Sequence, residues 1–295
     1  MKIQTLSVVV GGSACNAKCP YCVSKLTGCT KGIKNGQKPM EINKRNFNIA
    51  CNFAKQSGVS TVLLTGKGEP LLYPGHIDKY LAMLEKWQFP FIELQTNGIL
   101  LRDMDESVLA DWYNMGLTTV SLSCASFNGI DNIDIFGEDI QLAKNIKLLH
   151  KIGFAVRLSC VMVDGIIDDL DGVQQLISWA KKRDVEQLTI RPVGNISEVE
   201  TGNDPLKQEV REWIEKHSNF KKEVYKVEYW LDDPRNATRL LTLAHGAKVY
   251  DVNGQNISFN SCLTRSDNPD DIRQLIFSSD GHLRYDWIKQ GAIII

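Results

Sequence analysis

Three cysteines fall close together in Cys15-Asn16-Ala17-Lys18-Cys19-Pro20-Tyr21-Cys22. A C-x3-C-x2-C loop can wrap one face of a cube-shaped [4Fe–4S] cluster, each thiolate holding a different iron, where closed clusters use four cysteines. The fourth iron then keeps an open position, the same logic that separates catalytic from structural zinc. A structural zinc ion completed by Cys29 or a histidine is the competing chemistry. It is disfavoured because no histidine precedes His76, and C-x3-C-x2-C-x6-C is not a zinc-ribbon spacing. Cys29 reads as a bystander. Cys51, Cys124 and Cys160 lie in apolar periodic segments and read as packed small hydrophobes.

Such a loop must be held by a substantial core, and the chain is long enough to build one. It has 295 residues, 43% hydrophobic and 23% charged, with 34 basic against 35 acidic side chains. That composition excludes a disordered, collagen-like or coiled-coil chain. No run approaches the roughly twenty apolar residues of a membrane span, and Ile3 to Val10 is too short and too polar for a secretory signal. A net charge of −1 argues against coating nucleic acid or membrane. The expectation is a soluble, cytoplasmic protein.

Six β-rich runs alternate with helical ones: Ile3–Val10, Ser60–Thr65, Phe91–Thr96, Thr119–Ser123, Ala155–Val163 and Gln187–Pro192. Helices are expected at Asn43–Gln56, Gly75–Lys86, Met104–Met115 (capped by Asp103), Glu138–Lys151 and Asp169–Arg183. This rhythm demands a parallel sheet with covering helices. No Gly-x-Gly-x-x-Gly follows a strand, which removes support for a dinucleotide fold. The fold class is α/β, a partial (β/α)6 TIM-type barrel over residues 1–195, closed by a small C-terminal α+β extension over 196–295. In the extension, Pro205–His217 reads as a helix, Val224–Trp230 and Lys248–Asp251 as strands, and Gln274–Trp287 as a hairpin turning at Ser278 to Gly281.

Two further elements stand at strand ends. The second strand runs into Leu64-Thr65-Gly66-Lys67-Gly68-Glu69-Pro70 and the third into Gln95-Thr96-Asn97-Gly98. With the cysteine loop, and in this order, they resemble the radical S-adenosylmethionine (SAM) superfamily over residues 5–195. The resemblance implies an active site at the C-terminal ends of the barrel strands. It implies that SAM chelates the open iron, and that an electron from the cluster breaks its sulfur–carbon bond to give a 5′-deoxyadenosyl radical. Cys15, Cys19 and Cys22 would hold the cluster. Tyr21 would meet the adenine through its backbone, unless it only packs. Gly66, Gly68 and Glu69 would receive the methionyl amine, with Lys67 departing from the commoner glycine.

Thr96, Asn97, Ser121 and Ser123 would serve the ribose and carboxylate of SAM, or, for the two serines, simply fill the barrel centre. Arg157 sits in an otherwise apolar strand and must be paired there. The SAM carboxylate suits its planar fork. Arg191, one strand later, would contact SAM or substrate.

Within the superfamily the chain is most similar to the GTP 3′,8-cyclase-like and SPASM-type group. Those relatives carry further C-terminal cysteines for extra clusters. Here only Cys262 follows Cys160, so one cluster is expected. Residues 1–40 contain Lys2, Lys18, Lys25, Lys31, Lys34 and Lys38 and no acid. With Lys67, Arg191, Arg265, Arg273 and Arg284 they point to an anionic, nucleotide-like small substrate, or else to an ordinary solvated face. Modification of a peptide or amino acid, and a non-catalytic iron–sulfur or zinc protein, are the alternatives. The expected partners are the substrate and an external donor such as flavodoxin or ferredoxin. Nucleic acid is not expected, because aromatics are not interleaved with the lysines.

Overall fold

The computed structural model describes residues 3–27, 41–194, 204–243, 246–260, 272–289 and 291–295. The six expected strands form: β1 (Ile3–Val9), β2 (Thr61–Thr65), β3 (Phe91–Thr96), β4 (Thr119–Cys124), β5 (Ala155–Met162) and β6 (Gln187–Pro192). They pair in parallel and in sequence order. Helices α1 (Val23–Leu26), α2 (Lys44–Gln56), α3 (Pro74–Leu84), α4 (Glu106–Asn114), α5 (Gly129–Phe136), α6 (Leu142–Ile152) and α7 (Leu170–Lys181) fall between them.

Strand alternation splits the sheet into two unlike faces. One face buries Val62, Leu64, Leu94, Val120, Leu122, Val156, Leu158, Leu188 and Ile190 completely. The other carries Glu93, Gln95, Ser121, Ser123, Arg157, Ser159 and Thr189. A closed TIM barrel fills that interior with branched aliphatic layers; here it is a polar lumen.

The C-terminal third joins the same sheet. After α8 (Pro205–Lys216) and α9 (Lys221–Asp232) come β7 (Thr238–Thr242), β8 (Lys248–Val252) and β9 (Gln255–Phe259), and β9 lies parallel to β6. β10 (Ile272–Phe277) lies parallel to β1, with Thr5 opposite Gln274, and turns back as β11 (Leu283–Arg284). The order is β11-β10-β1-β2-β3-β4-β5-β6-β9-β8-β7, an open eleven-stranded sheet. The extension therefore adds strands at both edges of the six-stranded unit.

Three local expectations are corrected. Val224–Trp230 is not a strand but lies in α9, because Phe220, Val224, Val227 and Leu231 recur at helical spacing and face the core. α5 was not expected; Asn128 caps its start and Gly137, at φ 79°, ends it before α6 begins. Asp105 rather than Asp103 caps α4, accepting from Ser107 N at 2.9 Å. Among the described residues no helix is long and apolar enough to cross a membrane.

Candidate active site

The loops after β1, β2 and β3 meet at one rim, and Glu69 is where they meet. Its carboxylate is 3% exposed. It accepts from Leu71 N (2.9 Å), Thr96 Oγ1 (2.5 Å) and Asn97 N (2.9 Å). Its own backbone N–H donates to the Ala14 carbonyl in the cysteine loop at 2.9 Å. Asn97 continues the lattice: its Nδ2 donates to Asn16 Oδ1 (2.8 Å) and lies 3.9 Å from Cys15 Sγ. Asn145 of α6 braces the third loop, donating to Gly98 O at 2.9 Å.

This geometry changes the reading of the Gly-Lys-Gly-Glu-Pro element. Both Glu69 oxygens already serve protein donors, two on Oε1 and one on Oε2, so an amine at this rim would share the carboxylate with them and turn its other N–H groups to backbone carbonyls. Gly68 allows close approach, but to the cysteine loop: a Cβ there would collide with the Ala14 carbonyl. Lys67 donates to Thr27 O at 2.9 Å and to Thr27 Oγ1, and lies over the Trp287 ring at 5.3 Å. It ties the element to the end of α1 and to the C-terminal segment.

Tyr21 packs its ring on Trp213 of α8 (centroids 5.7 Å apart), and Trp213 stacks on His217 at 4.0 Å. Lys18 packs on Gly137, and Lys25 donates to the Cys19 carbonyl. Cys51, Cys124 and Cys160 are buried, as expected. Cys29, Cys262, Lys2, Lys31, Lys34, Lys38 and Arg265 lie outside the described residues.

Below the rim, Arg157 has found a partner that the sequence reading did not name. Its Nη2 lies 2.5 Å from Glu93 Oε1, and its Nε donates to Ser121 Oγ at 3.3 Å. Gln95 also donates to Glu93 Oε1, at 2.9 Å. Glu93 is 6% exposed. A lone acid in Phe91-Ile92-Glu93-Leu94-Gln95 was open to the argument applied to Arg157: a charge buried in an apolar strand must be paired.

Nearer the strand ends, Ser123, Ser159, Thr189 and Ser258 stand side by side across β4, β5, β6 and β9. At roughly 4.8 Å per strand, this hydroxyl row spans about 14 Å. Ser258 and its neighbour Asn260 went unnoticed, because nothing local announces that β9 docks on β6. Arg191 ends β6 with its Nε buried and without a partner among the described residues. Arg284 is not available to a ligand as expected: it is 5% exposed and holds Asp280 through two 2.8 Å bonds.

Burial dominates the electrostatics of the cysteine loop and of Glu69. Burial pushes the Cys19 thiol up to about 12, with the neighbouring Cys22 and Cys15 raising it further. Cys15 is raised for the same reasons, burial first, with Glu69 and Cys22 adding to it. Burial also raises Glu69, against the opposing effect of its three donors. Among the described residues, no three such side chains converge on a point that one metal ion could occupy. Asn16 Nδ2, in the cysteine loop, is buried without a partner among the described residues.

Residues 9–180 match the model of the Radical SAM superfamily, and the chain belongs to that family of enzymes. It is 26% identical over 188 residues to a GTP 3′,8-cyclase of Nostoc punctiforme, covering 62% of this chain and 55% of that one. It is 26% identical over 178 residues to an uncharacterised protein of Methanocaldococcus jannaschii, covering 59% and 54%. The chain thus spans about half the length of these curated relatives. Among solved structures, anSMEcpe with bound AdoMet superposes with TM-score 0.64 at 17% identity, over 100% of this chain and 74% of that one. SuiB of Streptococcus suis bound to S-adenosylmethionine gives 0.58 at 15%, over 96% and 60%. These two likenesses support the partial-barrel fold.

Proposed function

We propose that this chain binds one [4Fe–4S] cluster through Cys15, Cys19 and Cys22, binds SAM at the rim above β1 to β5, and uses them on a small, polar, anionic substrate held in the lumen. When bound, the cluster and SAM supply the family's chemistry, reductive cleavage to a 5′-deoxyadenosyl radical that abstracts hydrogen. The observation that carries this reading is the Glu69 lattice. Three loops distant in sequence are locked together at the strand ends, and the first of them carries Cys15, Cys19 and Cys22.

The protein's own groups orient and shield. Carbonyls of residues 66–68 would face an amine. Arg157, fixed by Glu93 and Ser121, keeps further N–H groups for a carboxylate. Ser123 and Ser159 offer hydroxyls to a ribose, and the Tyr21–Trp213–His217 stack covers the cysteine loop. Cys262 is the one cysteine after Cys160 in the sequence, and the reading is made for a single cluster and names no particular reaction product. An external reductant, such as flavodoxin or ferredoxin, would supply the electron.

The test is anaerobic reconstitution with iron and sulfide, followed by assay for 5′-deoxyadenosine with reductant and SAM. Iron near four per chain, lost in Cys19→Ala and kept in Cys29→Ala, is expected. Zinc in place of iron, with no SAM binding, would establish the non-catalytic alternative.

A further inference from the structure

We infer that the junction of β6 and β9 is an oxyanion subsite for the substrate, built from Thr189, Arg191, Ser258 and Asn260. This rests on the proposed function and adds to it the chemistry of one end of the substrate: a carboxylate or phosphate carried on a hydroxyl- or amide-bearing small molecule.

The four residues form a compact block. Thr189 stands opposite Ser258, and Ile190 opposite Phe259, so Arg191 stands level with Asn260. Alternation puts all four on the lumen face, while Ile190, Ile257 and Phe259 are buried on the other. Asn260 is pinned there: its backbone N–H donates to Ile190 O at 3.2 Å and its Nδ2 to Ser258 Oγ at 3.1 Å.

Arg191 is the decisive member. An arginine in a sheet interior normally has a carboxylate or carbonyl to meet its fork. Arg157, one strand away on the same face, has Glu93. Arg191 has no ion pair among the described residues, and its Nε is buried with nothing to donate to. A buried donor left open beside two hydroxyls and an amide is the arrangement an incoming oxyanion would complete. The block lies on β6 and β9, and four strands stand between β6 and β1, which leads into the cysteine loop, in the sheet order. The anion would anchor one end of the substrate and leave the other to reach the cofactor rim.

The probes are matched pairs: ribose 5-phosphate against ribose, and gluconate against glucose. Binding to the reconstituted protein is followed by ligand-observed NMR, without turnover. Saturable binding of an anionic probe and none of its neutral partner is expected, and the phosphate and carboxylate arms show which oxyanion fits. Arg191→Gln should weaken that probe by roughly ten- to a hundredfold. Arg191→Lys should restore part of it, and SAM affinity should stay unchanged in both.

Should Arg191→Gln fail to fold, Asn260→Ala and Ser258→Ala give the same reading with smaller losses. The inference is overturned if neither anionic probe binds, if binding ignores all of these substitutions, or if SAM affinity falls in parallel. Wild-type 5′-deoxyadenosine formation is measured separately, so loss of the subsite and loss of the radical SAM reading are distinguishable.

Discussion

The two sides of the lumen are finished to different degrees. At the β1 to β3 rim nearly every polar group meets another protein group, with Glu69 taking three donors and Asn97 bridging two loops. At the β6–β9 junction Arg191 Nε is buried and open. Burying a polar group without a partner is costly, so an open donor beside further polar side chains is a candidate for a ligand. On the proposed function, the rim would receive a cofactor that is the same in every turnover, and the junction the molecule to be transformed.

That contrast breaks most sharply at Glu69. Glu69→Ala strands the Leu71 and Asn97 N–H groups and the Thr96 hydroxyl, and should cost about 3–5 kcal/mol by denaturant unfolding. Iron content should fall with it. Retention of full iron with only SAM binding lost would return Glu69 to the role of a direct amine ligand.

Gly68→Ala comes next. Its methyl would displace the Ala14 carbonyl, at about 1–3 kcal/mol, with poorer cluster loading. Gly75→Ala, whose methyl meets nothing within 4 Å, is the control and should load normally. Equal loading in both would show that the loops are not locked.

Arg157→Ala leaves Glu93 buried without its cation. Since the Arg157 side chain is partly exposed, the expected loss is about 1–3 kcal/mol. The double variant Glu93→Gln, Arg157→Gln should recover part of it, because no isolated charge remains. Arg191→Gln, by comparison, should leave stability nearly unchanged, since no ion pair among the described residues is lost. A larger loss from Arg191 than from Arg157 would invert the comparison.

The smallest effect is in pH. The Cys19 thiol is held well above its ordinary value, to about 12. A thiol raised in the fold stabilises the cluster-free protein below the unfolded value of about 8.5, and that contribution fades as pH rises from there toward 12. Unfolding of cluster-free protein between neutral pH and about pH 10 should show a decline that Cys19→Ser flattens. With the cluster bound the decline should vanish, because the thiolate is then compensated.

The sequence made the strands legible to within a residue or two, because parallel strands buried by helices are continuous apolar runs with sharp borders. It also made legible which loops matter. What it hid were relationships that only the folded chain creates. Glu69 was legible as a site residue, but its use as an internal hub depends on where β3 ends. Arg157 announced a partner, yet Glu93 is 64 residues away in sequence. Ser258 and Asn260 gain meaning only through pairing with β6. Val224–Trp230 misled because its aromatic and β-branched content outweighed a helical period that a four-residue wider window shows.

β10 lies against β1, with Ser7 Oγ donating to Gln274 Oε1 at 3.2 Å across 267 positions of sequence. The strand that launches the cysteine loop is therefore flanked on one side by a segment synthesised 267 positions after it. Pairings so distant in sequence form late. A nascent chain would display its three thiols long before β1 acquires its second neighbour, and iron arriving early would meet a loop with half its support. The first strand of the sheet thus stays half-paired until synthesis has passed residue 277.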